Sequence, residues 1–328
     1  MPFHPPTAAW MLALAGASPR YSQRPAMGPN DLWSPLPIQH VDVNLDDGSV
    51  VDIAYVDSGP PPEGDPAAPP LVLILGLSSG ISYWEYQIAP LAQQHRVIAI
   101  DLPGYGASGR PDAPYTPPWY AGAVRSWLDQ LGVDKVVLVG HSMGGQISMT
   151  FGLLWPERVS HLVLSAPAGF ETFSPGAGHW MKTYWHELRA TEATEQELRA
   201  TFTTLVFNKP GPGVERLLEE RVRMSKTAAF RATSVAVSRS VAGMLDHPVF
   251  GRLGQLYMPT LVVYGTDDRM IPNPAFTGGR TRAIAQRGVD ALPDARLVMI
   301  PGAGHTVHHD APEAFNQAVL SFLRQPTR

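Results

Sequence analysis

A chain of 328 residues, 44% apolar and only 16% charged, can bury one large core and is too apolar to be disordered. Its formal net charge of -4, without basic clusters, argues against a nucleic-acid surface. The absence of cysteine excludes a disulfide framework, a thiol nucleophile and a Cys-ligated metal.

Residues 1–35 carry little pattern. Ala8 to Ala17 is apolar and holds Ala15-Gly16-Ala17, a small-residue cleavage signature, yet no Lys or Arg precedes it and the run is too short to span a bilayer. The preferred reading is a loosely packed N-terminal extension on a cytoplasmic protein, with a cleaved signal peptide over residues 1–17 as the alternative. Ile38 to Leu45 and Ser49 to Val56 alternate around Asp46-Asp47-Gly48, which predicts a β-hairpin. Gly59 to Pro70 is a proline-rich surface loop. Leu71 to Leu75 and Arg96 to Ile100 read as buried strands, the first running into Gly76-Leu77-Ser78-Ser79-Gly80. Asp101 opens a turn-rich loop that its own carboxylate is expected to tie down. Pro117 to Leu131 has helical spacing, with Gly132 as the residue after the cap.

Lys135 to Val139 is a continuous apolar run suited to the middle of a parallel sheet. It ends at Gly140-His141-Ser142-Met143-Gly144-Gly145, and a small-residue, apolar helix follows to Trp155. Gly-x-Ser-x-Gly between a strand and a helix is a nucleophile elbow: a strained turn lifts the serine above the sheet edge, and the helix N-terminus faces any oxyanion formed there. Leu162 to Ser165 is the next strand. From Phe170 to Tyr257 the alternation of strand and helix stops. Met181, Tyr184, Trp185 and Leu188 form one stripe; Thr194-x-x-Glu197 is a capping box for a helix carrying Leu198, Phe202, Leu205 and Val206; Val214, Leu217, Leu218 and Val222 begin another. Such an insertion at the C-terminal edge of a sheet is expected to be a lid. Thr260 to Tyr264 and Ala295 to Ile300 resume the sheet, and Asp310-Ala-Pro-Glu313 is expected to cap a last helix whose Phe315, Val319 and Phe322 face the core.

A serine hydroxyl needs a base and an orienting carboxylate. His305, after a strand and a Gly-Ala-Gly turn, is favoured over His308 and His309, which are expected to be solvated in a capping region. Asp268 is favoured over its neighbour Asp267, which is assigned to loop capping. The chain order Ser142, Asp268, His305 is that of an α/β-hydrolase. The expected oxyanion donors are the N–H groups of Leu77 and Met143.

From about Pro35 to the C-terminus the chain resembles the α/β-hydrolase fold proteins of the large lid-bearing family of esterases and lipases. The resemblance rests on Gly140-His-Ser-Met-Gly-Gly145, Asp101-x-x-Gly104-x-Gly106-x-Ser108, Gly265-x-x-Asp268-x-x-x-Pro272, and Gly304-His305 followed by Pro312-Glu313-x-Phe315. Where that family often has His-Gly after the third strand, this chain has Leu75-Gly76. The resemblance implies a doubly wound, mostly parallel α/β sheet with an inserted helical lid. The corresponding divisions are residues 1–35 for the extension, 36–169 and 258–328 for the core, and 170–257 for the lid. It also implies a serine hydrolase of a small-molecule carboxylic ester, with an apolar acyl group or small aromatic ring, no cofactor, no metal and no membrane span. Carbon–carbon bond hydrolases of ring-cleavage products, lactonases, amidases and cofactor-free haloperoxidases remain alternatives, as does a non-catalytic small-molecule receptor.

Overall fold

The strands in chain order are β1 (Gln39–Asn44), β2 (Val50–Asp57), β3 (Leu71–Ile74), β4 (Val97–Ile100), β5 (Val136–His141), β6 (Val159–Ser165), β7 (Thr260–Gly265) and β8 (Ala295–Ile300). They form one sheet in the order β1-β2-β4-β3-β5-β6-β7-β8, in which β2 is antiparallel to both neighbours and every later pair is parallel. This computed structural model describes residues 34, 36–187 and 192–324. The segment 1–17 read as a possible leader, and all but one residue of the expected extension, lie outside the described residues.

β3, β4, β5 and β7 are buried along their whole length, which is why they read as unbroken apolar runs. The helices are α1 (Ile88–Ala92), α2 (Pro117–Gln130), α3 (Met143–Leu154), α4 (Pro175–Tyr184), α5 (Glu195–Thr201), α6 (Pro212–Ser225), α7 (Phe230–Asp246), α8 (Thr281–Asp290), α9 (Val307–Asp310) and α10 (Pro312–Leu323). One apolar layer joins the sheet to Trp127, Ile147, Phe151 and Ile284 of α2, α3 and α8; a second joins it to Ile88, Leu91, Phe315 and Val319 of α1 and α10. The sheet is therefore doubly wound. α2 begins where Thr116 accepts the Trp119 N–H and ends at Gly132, whose φ of 66° suits glycine. No helix among the described residues is long and apolar enough to cross a membrane.

Between β6 and β7 lie α4 to α7. The stripe expected from Met181 to Leu188 is helical through Tyr184, and Leu188 lies outside the described residues. Thr194 and Glu197 form the expected capping box, but α5 is only seven residues and widens into a π-helical turn at Phe202–Val206. The insertion sits on the loops at the C-terminal edge of the sheet. In α7 the Ser240 hydroxyl is 2.9 Å from that of Tyr105, and Thr233 accepts from Arg110 at 2.9 Å; in α6 Glu220 accepts from Ser82 at 2.9 Å.

Two expectations for the last helix are corrected. The residue before α10 is Ala311, with no side-chain cap; Asp310 instead turns inward, where its carboxylate accepts the N–H groups of Asn208, Lys209 and Gly304. His308 and His309 are buried, not solvated, because α9 is folded under the insertion. His308 packs on Trp84 with centroids 4.2 Å apart, and His309 Nε2 is 3.0 Å from the buried Glu85 carboxylate.

Asp101 ties down two loops, its own and the one leading to α1. Its carboxylate accepts Ala107 N–H at 2.8 Å and Ile81 N–H at 2.7 Å. Burial pushes its pKa up from the ordinary carboxylate range to about 6, against these two hydrogen bonds. The native state therefore holds this proton more tightly than the unfolded chain. The group's contribution is full below pH 4 and is lost as pH rises to about 6. Asp101→Asn is expected to flatten that part of the stability–pH curve. Asp101→Ala should lower unfolding free energy by roughly 2–4 kcal/mol, read from the urea midpoint, because two buried N–H groups lose their acceptor.

Candidate active site

At the end of β5 the backbone of Ser142 adopts φ 53° and ψ -119°, a conformation strained for a residue with a Cβ. The glycines around it make room for that turn. A Cβ on Gly144 would lie 2.2 Å from the Ile74 carbonyl oxygen, and one on Gly140 would lie 2.4 Å from that of Gly144. Helix α3 is thus pressed against β3 and β5, with its first N–H groups beside Ser142. The N–H of Ser142 donates to the Ser165 carbonyl at 3.0 Å, which anchors the turn to β6.

Asp268 and His305 meet at the same edge, beyond β7 and β8. His305 Nδ1 is 3.0 Å from Asp268 Oδ2, and both side chains are almost wholly buried. The other carboxylate oxygen of Asp268 accepts the N–H groups of Met270 and Ile271 at 2.8 and 2.9 Å. Because a carboxylate only accepts, Nδ1 carries the proton and Nε2 presents a lone pair. Nε2 is shielded from solvent and bonded to nothing among the described residues, so Ser142 Oγ is not hydrogen-bonded to it in this resting state. Asp267, by contrast, points outward and accepts the Thr266 hydroxyl at 2.8 Å.

In the loop that follows β3, a Cβ added to Gly76 would lie 2.9 Å from Ser142 Cβ. That contact puts the next residue, Leu77, beside the serine. Among the described residues neither the Leu77 nor the Met143 N–H donates a hydrogen bond, so both are free to receive an anion. An alpha/beta hydrolase fold family model matches residues 69–312, spanning the sheet from before β3 to the start of α10 and all these side chains. The chain belongs to that family.

The chain is similar to several named proteins. It is 31% identical over 267 residues to a 2-hydroxy-6-oxononadienedioate/2-hydroxy-6-oxononatrienedioate hydrolase of Klebsiella pneumoniae subsp. pneumoniae, covering 77% of this chain and 86% of that one. It is 30% identical over 266 residues to the dihydrolipoyllysine-residue acetyltransferase component of the acetoin cleaving system of Pseudomonas putida, covering 80% of this chain. The match spans 65% of that longer relative. A solved structure of a probable hydrolytic enzyme from Pseudomonas aeruginosa PAO1 superposes with a TM-score of 0.81 at 25% identity, over 92% of this chain and 99% of that one.

Sequence reasoning left the substrate-binding residues of the hydrolase undefined. The structure shows a narrow cleft beside the β3 loop, lined by Ser78, Gly80, Tyr83, Tyr105, Glu220 and Arg221. The Arg221 guanidinium lies 4.7 Å from the Phe230 ring centroid and has no ion pair among the described residues. Burial pushes Glu220 up to about 8, against the hydrogen bond from Ser82. In the sequence these two residues are part of the charged stretch Glu219-Glu220-Arg221-Val222-Arg223, whose pattern does not separate a solvated helix face from a cleft wall.

The strain at Ser142 predicts a trade of stability against reactivity. Ser142→Gly should raise unfolding free energy by roughly 1 kcal/mol, as a higher melting temperature, because glycine adopts positive φ without a Cβ clash.

Proposed function

We propose that this hydrolase cleaves carboxylic esters through a serine acyl-enzyme. The supporting observation is the His305 ring, with Nδ1 held by the buried Asp268 carboxylate and Nε2 left open at the sheet edge where Ser142 stands. Ser142 Oγ attacks the ester carbonyl while His305 Nε2 takes its proton. The carbonyl oxygen becomes the oxyanion and is received by the N–H groups of Leu77 and Met143. His305 then gives its proton to the leaving alkoxide, and Asp268 stabilises the imidazolium in between. In the second half, His305 draws a proton from water, hydroxide adds to the acyl carbon, and Ser142 leaves with the proton returned. The helices of residues 170–257 act as a lid, and their apolar side chains favour an apolar acyl group or ring.

A second reading is hydrolysis of a carbon–carbon bond beside a ketone in an anionic substrate. Arg221 supports it, as a cation with no ion-pair partner among the described residues in the cleft next to the β3 loop, and so does the relative named for a dioate substrate. Glu220, which burial pushes up to about 8, is neutral near pH 7 and presents no charge to the cleft that it lines with Arg221.

A chain-length panel of p-nitrophenyl esters tests the first reading. Turnover should fall at least about 1,000-fold in both Ser142→Ala and Asp268→Asn. Unchanged rates in the serine variant would remove Ser142 from the mechanism. The second reading predicts faster turnover of a dicarboxylate vinylogous diketone than of any ester. Its KM should rise above about pH 8 as Glu220 ionises beside Arg221, and that rise should be absent in Glu220→Gln.

A further inference from the structure

His141 precedes the candidate nucleophile and was assigned no role by its sequence. Its Nε2 lies 3.2 Å from the backbone carbonyl oxygen of His305. A carbonyl only accepts, so the His141 proton is on Nε2. The Nδ1 atom of the same ring is buried and without a partner among the described residues, an arrangement that persists only with a neutral ring. Burial first, and then repulsion from His305 whenever that ring is protonated, hold the pKa of His141 well below the ordinary histidine value. The ring is wedged in place: its centroid is 4.9 Å from that of His305 and 4.7 Å from that of His308, and His308 in turn rests on Trp84.

The position of this bond in the sheet gives it consequence. His141 belongs to β5, whereas His305 follows β8, and β6 and β7 lie between them. The hydrogen bond therefore bridges the nucleophile strand and the base loop directly, across two intervening strands. Ser142 Oγ and His305 Nε2 are not bonded to each other in the resting state, so their separation is set by the backbones that carry them. We infer that His141 is a positioning residue, whose Nε2–H strut to the His305 carbonyl holds the base loop at the distance from Ser142 that proton transfer requires. The inference rests on the serine-hydrolase reading of the same site. It differs from a packing role in needing a donor at one atom, rather than an aromatic ring. A misplacement of about 1 Å at such a site costs on the order of 100-fold in rate.

Three variants separate donor from bulk. His141→Gln carries an amide N–H close to the place of Nε2; His141→Asn carries one near the place of Nδ1, short of the carbonyl; His141→Leu fills the space without a donor. Each is assayed for kcat and KM on the best p-nitrophenyl ester, for the rate of Ser142 labelling by a fluorophosphonate, and for thermal melting. The leucine and asparagine variants should lose about 10- to 100-fold in kcat and in labelling rate with KM little changed, and the glutamine variant should stay within about threefold of wild type. If leucine fails to fold, the comparison of glutamine with asparagine decides. Glutamine no better than asparagine, or leucine as fast as wild type, overturns the inference while leaving the serine mechanism standing. A wild-type protein that neither turns over esters nor labels at Ser142 overturns both.

Discussion

The close approach of α3 to the middle of the sheet is the constraint on which the site depends. Gly140 and Gly144 leave no Cβ where the helix meets β5 and the carbonyl of Ile74 in β3. With a side chain at either position the helix would stand off, the turn at Ser142 would relax from its φ of 53°, and the serine would sink toward the sheet. The strain costs stability in the resting protein and is held there by backbone bonds from the turn to Ser165 and to the start of α3. Parallel register does the rest. Ile74 pairs with Gly140, His141 with Ser165 and Gly265 with Ile300, so the strands end level and their loops share one edge.

Polar groups beneath that edge fasten the insertion to the core. Asp310 collects N–H groups from Asn208, Lys209 and Gly304, so one carboxylate joins the base loop to the chain entering α6. Glu85 does the same for α6 itself, paired with His309 and Arg216. Burial alone would raise the Glu85 pKa, but the hydrogen bonds of these two partners outweigh it and hold the carboxylate below its ordinary value. Gly213 is required beside this cluster, since a Cβ there would lie 2.4 Å from the Tyr86 hydroxyl. The insertion is thus set on charge-bearing contacts near the edge that carries Ser142 and His305, with the Arg221 cleft between it and the β3 loop.

Much of the fold was legible because buried parallel strands and amphipathic helices leave different apolar periods. The hairpin, the strands from Leu71 onward and the elbow all stand where the pattern places them, within one to three residues at their ends. That Asp268 and not Asp267 meets His305 was legible too, because adjacent residues in one loop face apart. The last helix misled for a physical reason. Asp310-Ala-Pro-Glu313 has the composition of a cap, but Asp310 finds three N–H donors in other loops, and those long-range bonds override the local one. The same burial removed His308 and His309 from solvent, since polar residues near a helix start are exposed only when nothing packs over them.

By itself the sequence determined the family, the strained serine turn and the meeting of His305 with Asp268, because each is written in residues close together or in a fixed order along the chain. Tertiary structure alone decided that His141 reaches the carbonyl of His305, that Glu85 is paired under α6, and that Arg221 looks into a cleft. Those outcomes depend on which side chains from distant segments arrive at one place. A local pattern of charge and spacing is the same whether the partner comes or water does.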